Sequence, residues 1–303
     1  MCYSAQVWDA YQKYQRTFGA KIDFQEFVRL YGIRNDAGSI KALPGMDRSF
    51  EAPETPEERQ IRSLIDAYEL TEKNRLELEV FQQKQRLVEA ERKLAVKETK
   101  AAAESKRIAT DKIERARSRL TDLTRADVKG RDARIYPGYH VPVMIWRDGR
   151  RTVVPMRYRC RPAGKPAFYD TKYPGTYNAR WDNLEGFWKA QFGATHGIMV
   201  VNRFYEHVDG KVLEFAPKQG QDMLVACLWS HWTGKGEPDL YSFAAITDEP
   251  PAEVAAAGHD RCIIPIKPEN VDAWLNPEGR SKPELWDLLD DRERPYYEHR
   301  LAA

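Results

Sequence analysis

The chain has 303 residues, 42% hydrophobic and 11% aromatic, which suffices for one large domain or two ordinary ones with a real core. No run of about 18 apolar residues occurs, and the start lacks a basic stretch followed by an apolar one, so neither a membrane-spanning helix nor a secretory signal is expected. The net charge of +2 conceals opposed blocks: 12 basic against 3 acidic residues from Lys129 to Arg180, and 7 against 15 from Glu237 onward. Four cysteines (Cys2, Cys160, Cys227, Cys262) stand far apart, with no CxxC pair and no metal-like grouping with histidine. Free thiols, a reducing cytoplasmic setting, no metal and no cofactor are the expectation.

In chain order, residues 1–53 read as a short strand from Cys2 and two amphipathic helices, "VWDAYQKYQRTFG" and "DFQEFVRLYG", each closed by a glycine. "EAPETPEERQ" is a helix start, with Thr55 as N-cap and Pro56 at the first helical position. Residues 54–129 form the second segment. From Glu57 to Lys129 there is neither glycine nor proline, so this is helix. Val80, Leu87, Leu94, Ala101 and Ile108 recur every seven residues, but the positions completing a coiled-coil seam (Gln83, Ala90, Lys97, Glu104) are mostly polar. A single straight helix of ~70 residues would extend ~105 Å; an antiparallel hairpin or a partner-binding arm fits the pattern equally well. The half-formed seam points to a monomer.

Residues 130–303 change to strand periodicity. "HVPVMIWRDGRRTVVPMRYR" and "GIMVVNRFYEHVDGKVLEFAP" each read as a hairpin about an Asp-Gly turn. "DMLVACLWSHW", "LYSFAAIT" and "RCIIPI" supply further strands, and "PENVDAWL" a short helix. The predicted fold class is α+β: a β-rich core of mixed and antiparallel strands in a barrel-like sheet with small helices, interrupted early by a long helical insertion and ending in an acidic tail.

The basic segment interleaves its charges with Tyr136, Tyr139, Trp146, Tyr158, Phe168, Tyr169, Tyr173 and Tyr177, a pattern suited to single-stranded nucleic acid. A solvated sheet face whose arginines pair with the acidic C-terminal third explains it equally well. No Walker loop, GxSxG, HExxH or dinucleotide fingerprint is present. The polar residues set within apolar strands are Asn178 and Arg180 in "TYNARWD", Glu206 in "NRFYEHV" and His259 in "AAGHDRCIIPI".

With the opening "MC", the segments "HVPVMIWRDGRRTVVPMRY", "YNAR", "RFYEH" and "HDRCIIPI…WL" stand in an order that resembles the SOS response-associated peptidase (SRAP) family, which contains the abasic-site DNA–protein crosslinking proteins. The resemblance covers residue 2 and roughly residues 131–276, leaving out the helical insertion and the tail. It implies a sensor of abasic sites in single-stranded DNA that caps the lesion covalently in the DNA damage response. Removal of Met1 would leave the α-amine and thiol of Cys2 to close a thiazolidine on the sugar aldehyde. Glu206 would transfer protons, His259 would serve the sugar oxygen, and Asn178 would hold the Cys2 main chain. Arg180, Arg157, Tyr158, Arg159, Arg161 and Trp181 would line the DNA.

The sequence departs from the family's pattern in several places. Tyr3-Ser4 replace Gly-Arg, "RYRCRPAG" stands for "RWGLIPSW" with Gly164 at the wedge tryptophan, Trp181-Asp182 replace Ser-Glu, and His207 replaces a tryptophan. Two other readings remain: Cys2, Glu206 and His259 as a cysteine-nucleophile autopeptidase or amidase, and a non-catalytic DNA-associated adapter acting through residues 57–128. The compartment expected is cytoplasmic, with nucleoid association in a bacterial host.

Overall fold

The computed structural model describes residues 4–38 and 40–302. The chain divides into two units, one drawn from residues 1–61 and 129–303, the other from residues 62–128.

The first unit is built on one large mixed sheet, the α+β architecture expected. Its main strands are β1 (Ser4–Val7), β2 (Tyr139–Arg147), β3 (Arg150–Tyr158), β4 (Asn178–Arg180), β5 (His196–Val208), β6 (Lys211–Pro217), β7 (Met223–Gly234), β8 (Glu237–Asp248) and β9 (Tyr297–Leu301). β2 pairs with β3, β3 with β8, β8 with β7, β7 with β5 and β5 again with β2, so the sheet closes into a ring. All these pairings are antiparallel except β3 with β8. The β2–β3 and β5–β6 hairpins turn through Asp148-Gly149 (φ 52° and 73°) and Asp209-Gly210 (φ 47° and 74°). Two successive positive φ angles define the turn that matches strand twist, which is why Asp-Gly reads so directly from sequence. Val141, Val143, Met144 and Ile145 of β2, Ile198–Val201 of β5 and Phe243–Ile246 of β8 are buried without alternation, since both faces of the ring are covered.

Helix α1 (Tyr11–Phe18) ends at Gly19 (φ 60°), as expected. Helix α2 (Phe24–Ala37) instead runs through Gly32 and stops at Gly38 (φ 61°). The extra turn is held from outside: Arg34 pairs with Asp47 at 2.8 Å, and the Tyr31 hydroxyl donates to the same carboxylate at 2.8 Å, all three buried. Tertiary contacts thus override the glycine's local preference.

Helix α3 (Pro56–Val96) starts at Thr55, whose hydroxyl accepts from Glu58 N at 3.2 Å while the Glu58 carboxylate accepts from Thr55 N at 2.8 Å, a reciprocal capping box. The Tyr11 hydroxyl donates to that same carboxylate, tying the helix start to α1.

The second unit is the hairpin of α3 and α4 (Lys100–Thr124), not a single straight helix. Thr99 breaks the run as an N-cap, accepting from Ala102 N at 3.2 Å. Leu76, Ala90, Ala102, Ala109, Ile113 and Ala116 are buried, and Arg86 to Ser105 (2.9 Å) and Glu91 to Lys106 (3.0 Å) bridge the helices. Val80, Leu87 and Leu94 are half-buried, while Leu76 and Ala90 of α3 are fully buried, facing the alanines of α4 that allow close approach.

His196 of β5 is stacked on Trp274 at 3.9 Å, with Nδ1 against the Trp274 carbonyl at 2.9 Å and Nε2 accepting from Gly193 N at 2.9 Å. Burial pushes its pKa down to about 3, and the buried His140 of β2 likewise falls to about 3. Both rings stay neutral in the fold while the unfolded chain takes up their protons below about 6.5. The unfolded state then binds more protons, so stability falls as pH drops through that window. Urea unfolding should lose roughly 1.4 kcal/mol per pH unit per histidine between about pH 6 and 4.5; a flat profile there would contradict this assignment.

Candidate functional site

β1 lies antiparallel on β5, with Ser4 opposite Tyr205 and Ala5 opposite Phe204. Ser4 is buried, and its hydroxyl accepts from Arg134 at 3.1 and 3.2 Å. The Arg134 guanidinium stacks 3.7 Å from the centre of the Tyr205 ring. The described chain thus starts beside the residue that precedes Glu206. Cys2 lies outside the described residues.

Glu206 and His259 meet. Glu206 Oε2 is 3.1 Å from His259 Nε2, and the residues are only 1% and 9% exposed. His259 Nδ1 lies 2.9 Å from the Arg261 carbonyl. Nε2 and Oε2 thus stand at hydrogen-bonding distance in a buried setting, a donor–acceptor arrangement of the kind that acid–base chemistry uses. Gly258 makes the approach possible. Its φ is +94°, and a Cβ there would lie 2.8 Å from Val208 Cγ1, at the end of the strand carrying Glu206.

Asn178 is buried on β4, which runs parallel to β8 with Asn178 opposite Ala245 and Arg180 opposite Thr247. Neither atom of its carboxamide has a hydrogen-bond partner among the described residues. Thr247 shares that face of β8 through Ala245, is buried, and its hydroxyl is equally unpartnered. On its other edge Thr247 pairs with Ile263, four residues beyond His259. The end of β8 therefore joins the strand carrying Asn178 to the segment that follows His259. Buried polar groups without partners are uncommon, so these two side chains have hydrogen-bonding capacity to spare at one end of β8.

The residues expected to line DNA divide. Arg180 is exposed, 3.2 Å from Asp182. Trp181 packs against Trp286 at 4.5 Å and beneath Arg292 at 4.9 Å. Tyr158 is buried, stacked on Phe243 at 5.3 Å, with no face open to a base. Arg157 makes two hydrogen bonds to Asp170 (2.8 and 3.0 Å), and Arg161 bonds Asp170 and Glu237. Those partners hold the Asp170 carboxyl below its ordinary range despite burial. The pairing with the acidic third considered from sequence thus applies to Arg161–Glu237 and to Arg151–Asp272 (2.6 Å), while Asp170 inside the basic block takes Arg157 and shares Arg161, and Arg147 pairs with Asp23 (2.6 Å). Arg159 keeps no carboxylate partner among the described residues. Sequence reading passed over Arg134 and Thr247: Arg134 is one basic residue among many, and Thr247 ends an apolar strand.

The three described cysteines, Cys160, Cys227 and Cys262, are free and buried. Burial pushes the Cys160 and Cys262 thiols up to about 12 and raises Cys227 as well, which leaves all three unreactive as thiolates. No group of three or more metal-ligating side chains occurs among the described residues, and no described helix is long and apolar enough to cross a membrane.

A family model described as SOS response associated peptidase (SRAP) matches residues 98–301. The chain belongs to that family, as its motif order indicated. The match is wider than the motifs suggested, taking in α4 and the acidic C-terminal segment. Membership places the protein in a DNA-damage-associated group. No curated protein matches the chain. Among solved structures, a protein from Bacteroides thetaiotaomicron is 16% identical with a TM-score of 0.49, over 56% of this chain and 78% of that one. One from Bordetella bronchiseptica is 17% identical with a TM-score of 0.47, over 61% and 95%. A phage-related protein of the same organism is 18% identical with a TM-score of 0.44, over 59% and 85%.

Replacing Gly258 with alanine should destabilise the protein by about 2 kcal/mol, since it adds a strained positive φ to a clash with Val208. Urea titration checks this; unchanged stability would show that the loop does not need the glycine to seat His259.

Proposed function

We propose that this protein caps abasic sites in single-stranded DNA by forming a thiazolidine between Cys2 and the ring-opened sugar. The observation that carries the reading is the buried Glu206–His259 pair, at 3.1 Å, set one residue along β5 from the partner of Ser4. Two peptide units cover at most about 7 Å, so anything attached to Ser4 works within a short radius of that anchor.

The chemistry needs an amine, a thiol and a proton carrier. With Met1 removed, the α-amine attacks the sugar's C1 aldehyde, forming a carbinolamine. The hydroxyl leaves as water when it receives a proton, which is the role we assign to the Glu206–His259 pair. The resulting imine carbon accepts the thiolate of the same residue, the C–S bond closes a five-membered ring, and the nitrogen takes a proton. One water is lost overall, and no oxidant or reductant enters. Ring closure is intramolecular, where effective molarities of roughly 10⁵ M are attainable. The unpartnered carboxamide of Asn178 suits it to hold main-chain groups of the reacting residue. We assign DNA contact to the exposed Arg180, with Trp181 beside it. The helical hairpin presents Leu70, Leu78 and Phe81 to solvent, and we assign it to a protein partner.

An abasic single-stranded oligonucleotide should give a crosslinked band that resists heating in detergent. The band should vanish in Cys2→Ala and form about 100-fold more slowly in Glu206→Gln, the loss expected when an acid–base group is removed. Absence of a band with wild type, the aldehyde being verified, would overturn the proposal.

The family's description also carries the word peptidase, which favours a second reading in which the same residues release Met1. Intact mass decides it: Met1 retained in Glu206→Gln but absent in wild type supports self-processing, whereas Met1 absent from both assigns removal to another enzyme.

A further inference from the structure

A polar cavity of about 400 Å³ opens between α2, the start of β2, the end of β3 and the start of β8. Arg29, Lys41, His140, Arg157, Arg159 and Tyr241 line it, with Glu237 and Asp239 as its acidic residues. It is separate from the site above. Arg157 stands opposite Ser242 while Tyr158 stands opposite Phe243, so Arg157 projects from the face of the sheet opposite to Phe243, Ala245 and Asn178.

Most of its charges are committed. Arg157 is held by Asp170, Arg161 by Asp170 and Glu237, and Arg29 by Glu26 and the Asp239 carbonyl. Lys41, Arg159 and His140 are not, and neither is the Asp239 carboxylate, whose one ion-pair contact among the described residues is His231 at 3.6 Å. Lys41 has no carboxylate partner among the described residues and lies 5.8 Å from the centre of the Tyr139 ring. Arg159 has none either, and its Nε is buried without a hydrogen bond. His140 is 3% exposed, and neither ring nitrogen reaches a partner at hydrogen-bonding geometry, although the Lys41 backbone lies close enough to oppose the downward pull on its basicity. Burial and the neighbouring Arg157 keep this ring neutral.

Arg159 also holds a φ of +112°, a region that L side chains rarely adopt. It occupies the place of the glycine in the "RWGLIPSW" pattern. Arg159 thus combines a strained backbone with a guanidinium that has no carboxylate partner among the described residues, in a cavity whose lining it shares with Lys41.

We propose that this cavity binds a phosphate monoester. Lys41 and Arg159 take the dianion, His140 donates one neutral N–H, and the apolar wall of Leu30, Ile33 and Leu240 receives the organic body. The volume suits a nucleoside monophosphate; inorganic phosphate shares the anionic chemistry, and the two probes separate the sources.

Calorimetric titration of the full chain at low salt, with deoxyadenosine 5′-monophosphate and separately with inorganic phosphate, tests this. Wild type should bind saturably. Binding of the nucleotide alone assigns the wall to the organic body, and equal binding of both probes assigns the site to the phosphate group. Arg159→Gly removes the cation and the backbone strain together, so its melting temperature should hold or rise while affinity falls at least tenfold. Lys41→Gln is the second variant should the first misfold. A tenfold fall in either folded variant supports the site. No saturable binding of either probe at millimolar concentration, or wild-type affinity in both variants, overturns it. The readout is direct binding and does not depend on crosslinking.

Discussion

The antiparallel register of Ser4–Val7 on β5 is the constraint from which the site follows. Chain ends fray unless something ties them down, and here the tie is fourfold: backbone pairing with Tyr205 and Phe204, burial of Ser4, the Arg134 hydrogen bonds to its hydroxyl, and the stacking of that arginine on Tyr205. The strand that receives β1 also carries Glu206. A single element therefore fixes both the start of the described chain and the buried carboxyl, and neither can shift without the other.

The electrostatics around that anchor separate reactive from inert groups. Three thiols are sealed in the core, where burial keeps them protonated. Two histidines are likewise sealed and neutral. His259 differs because it faces a carboxyl across 3.1 Å. In this low-dielectric setting the hydrogen-bonding contact between the two is stronger than it would be in water. The cost of seating it is carried by Gly258, whose positive φ and contact with Val208 leave no room for a side chain.

Much of the fold was legible because its signals are local. Asp-Gly turns need two positive φ angles, and both hairpins formed where those pairs stand. The Thr55-Pro56 start likewise depends on groups three residues apart. Gly32 misled because the turn beyond it is stabilised by Asp47, which no local rule reveals. The hairpin of the second unit was one of several readings, since a heptad stripe does not say whether its partner is another chain or its own return helix. Of the candidate site, motif order singled out Glu206, His259 and Asn178, and the structure brings the first two together. Among the residues expected to line DNA, a basic run counts charges without showing that Asp170 engages Arg157 and Arg161, or that Tyr158 turns inward. Arg134 and Thr247 escaped notice because their significance is positional.

The account rests on residue 2 being the atom donor to the damaged sugar, with the dyad of β5 and the His259 loop as its proton carrier. Peptide mapping by mass spectrometry, after reaction with an abasic oligonucleotide and nuclease trimming, reads this most directly. The account predicts a sugar remnant on the N-terminal peptide alone, at a mass equal to addition minus one water, with both nitrogen and sulfur of Cys2 blocked. A remnant on a lysine, or an N-terminal peptide that is unmodified while DNA is attached elsewhere, would contradict it.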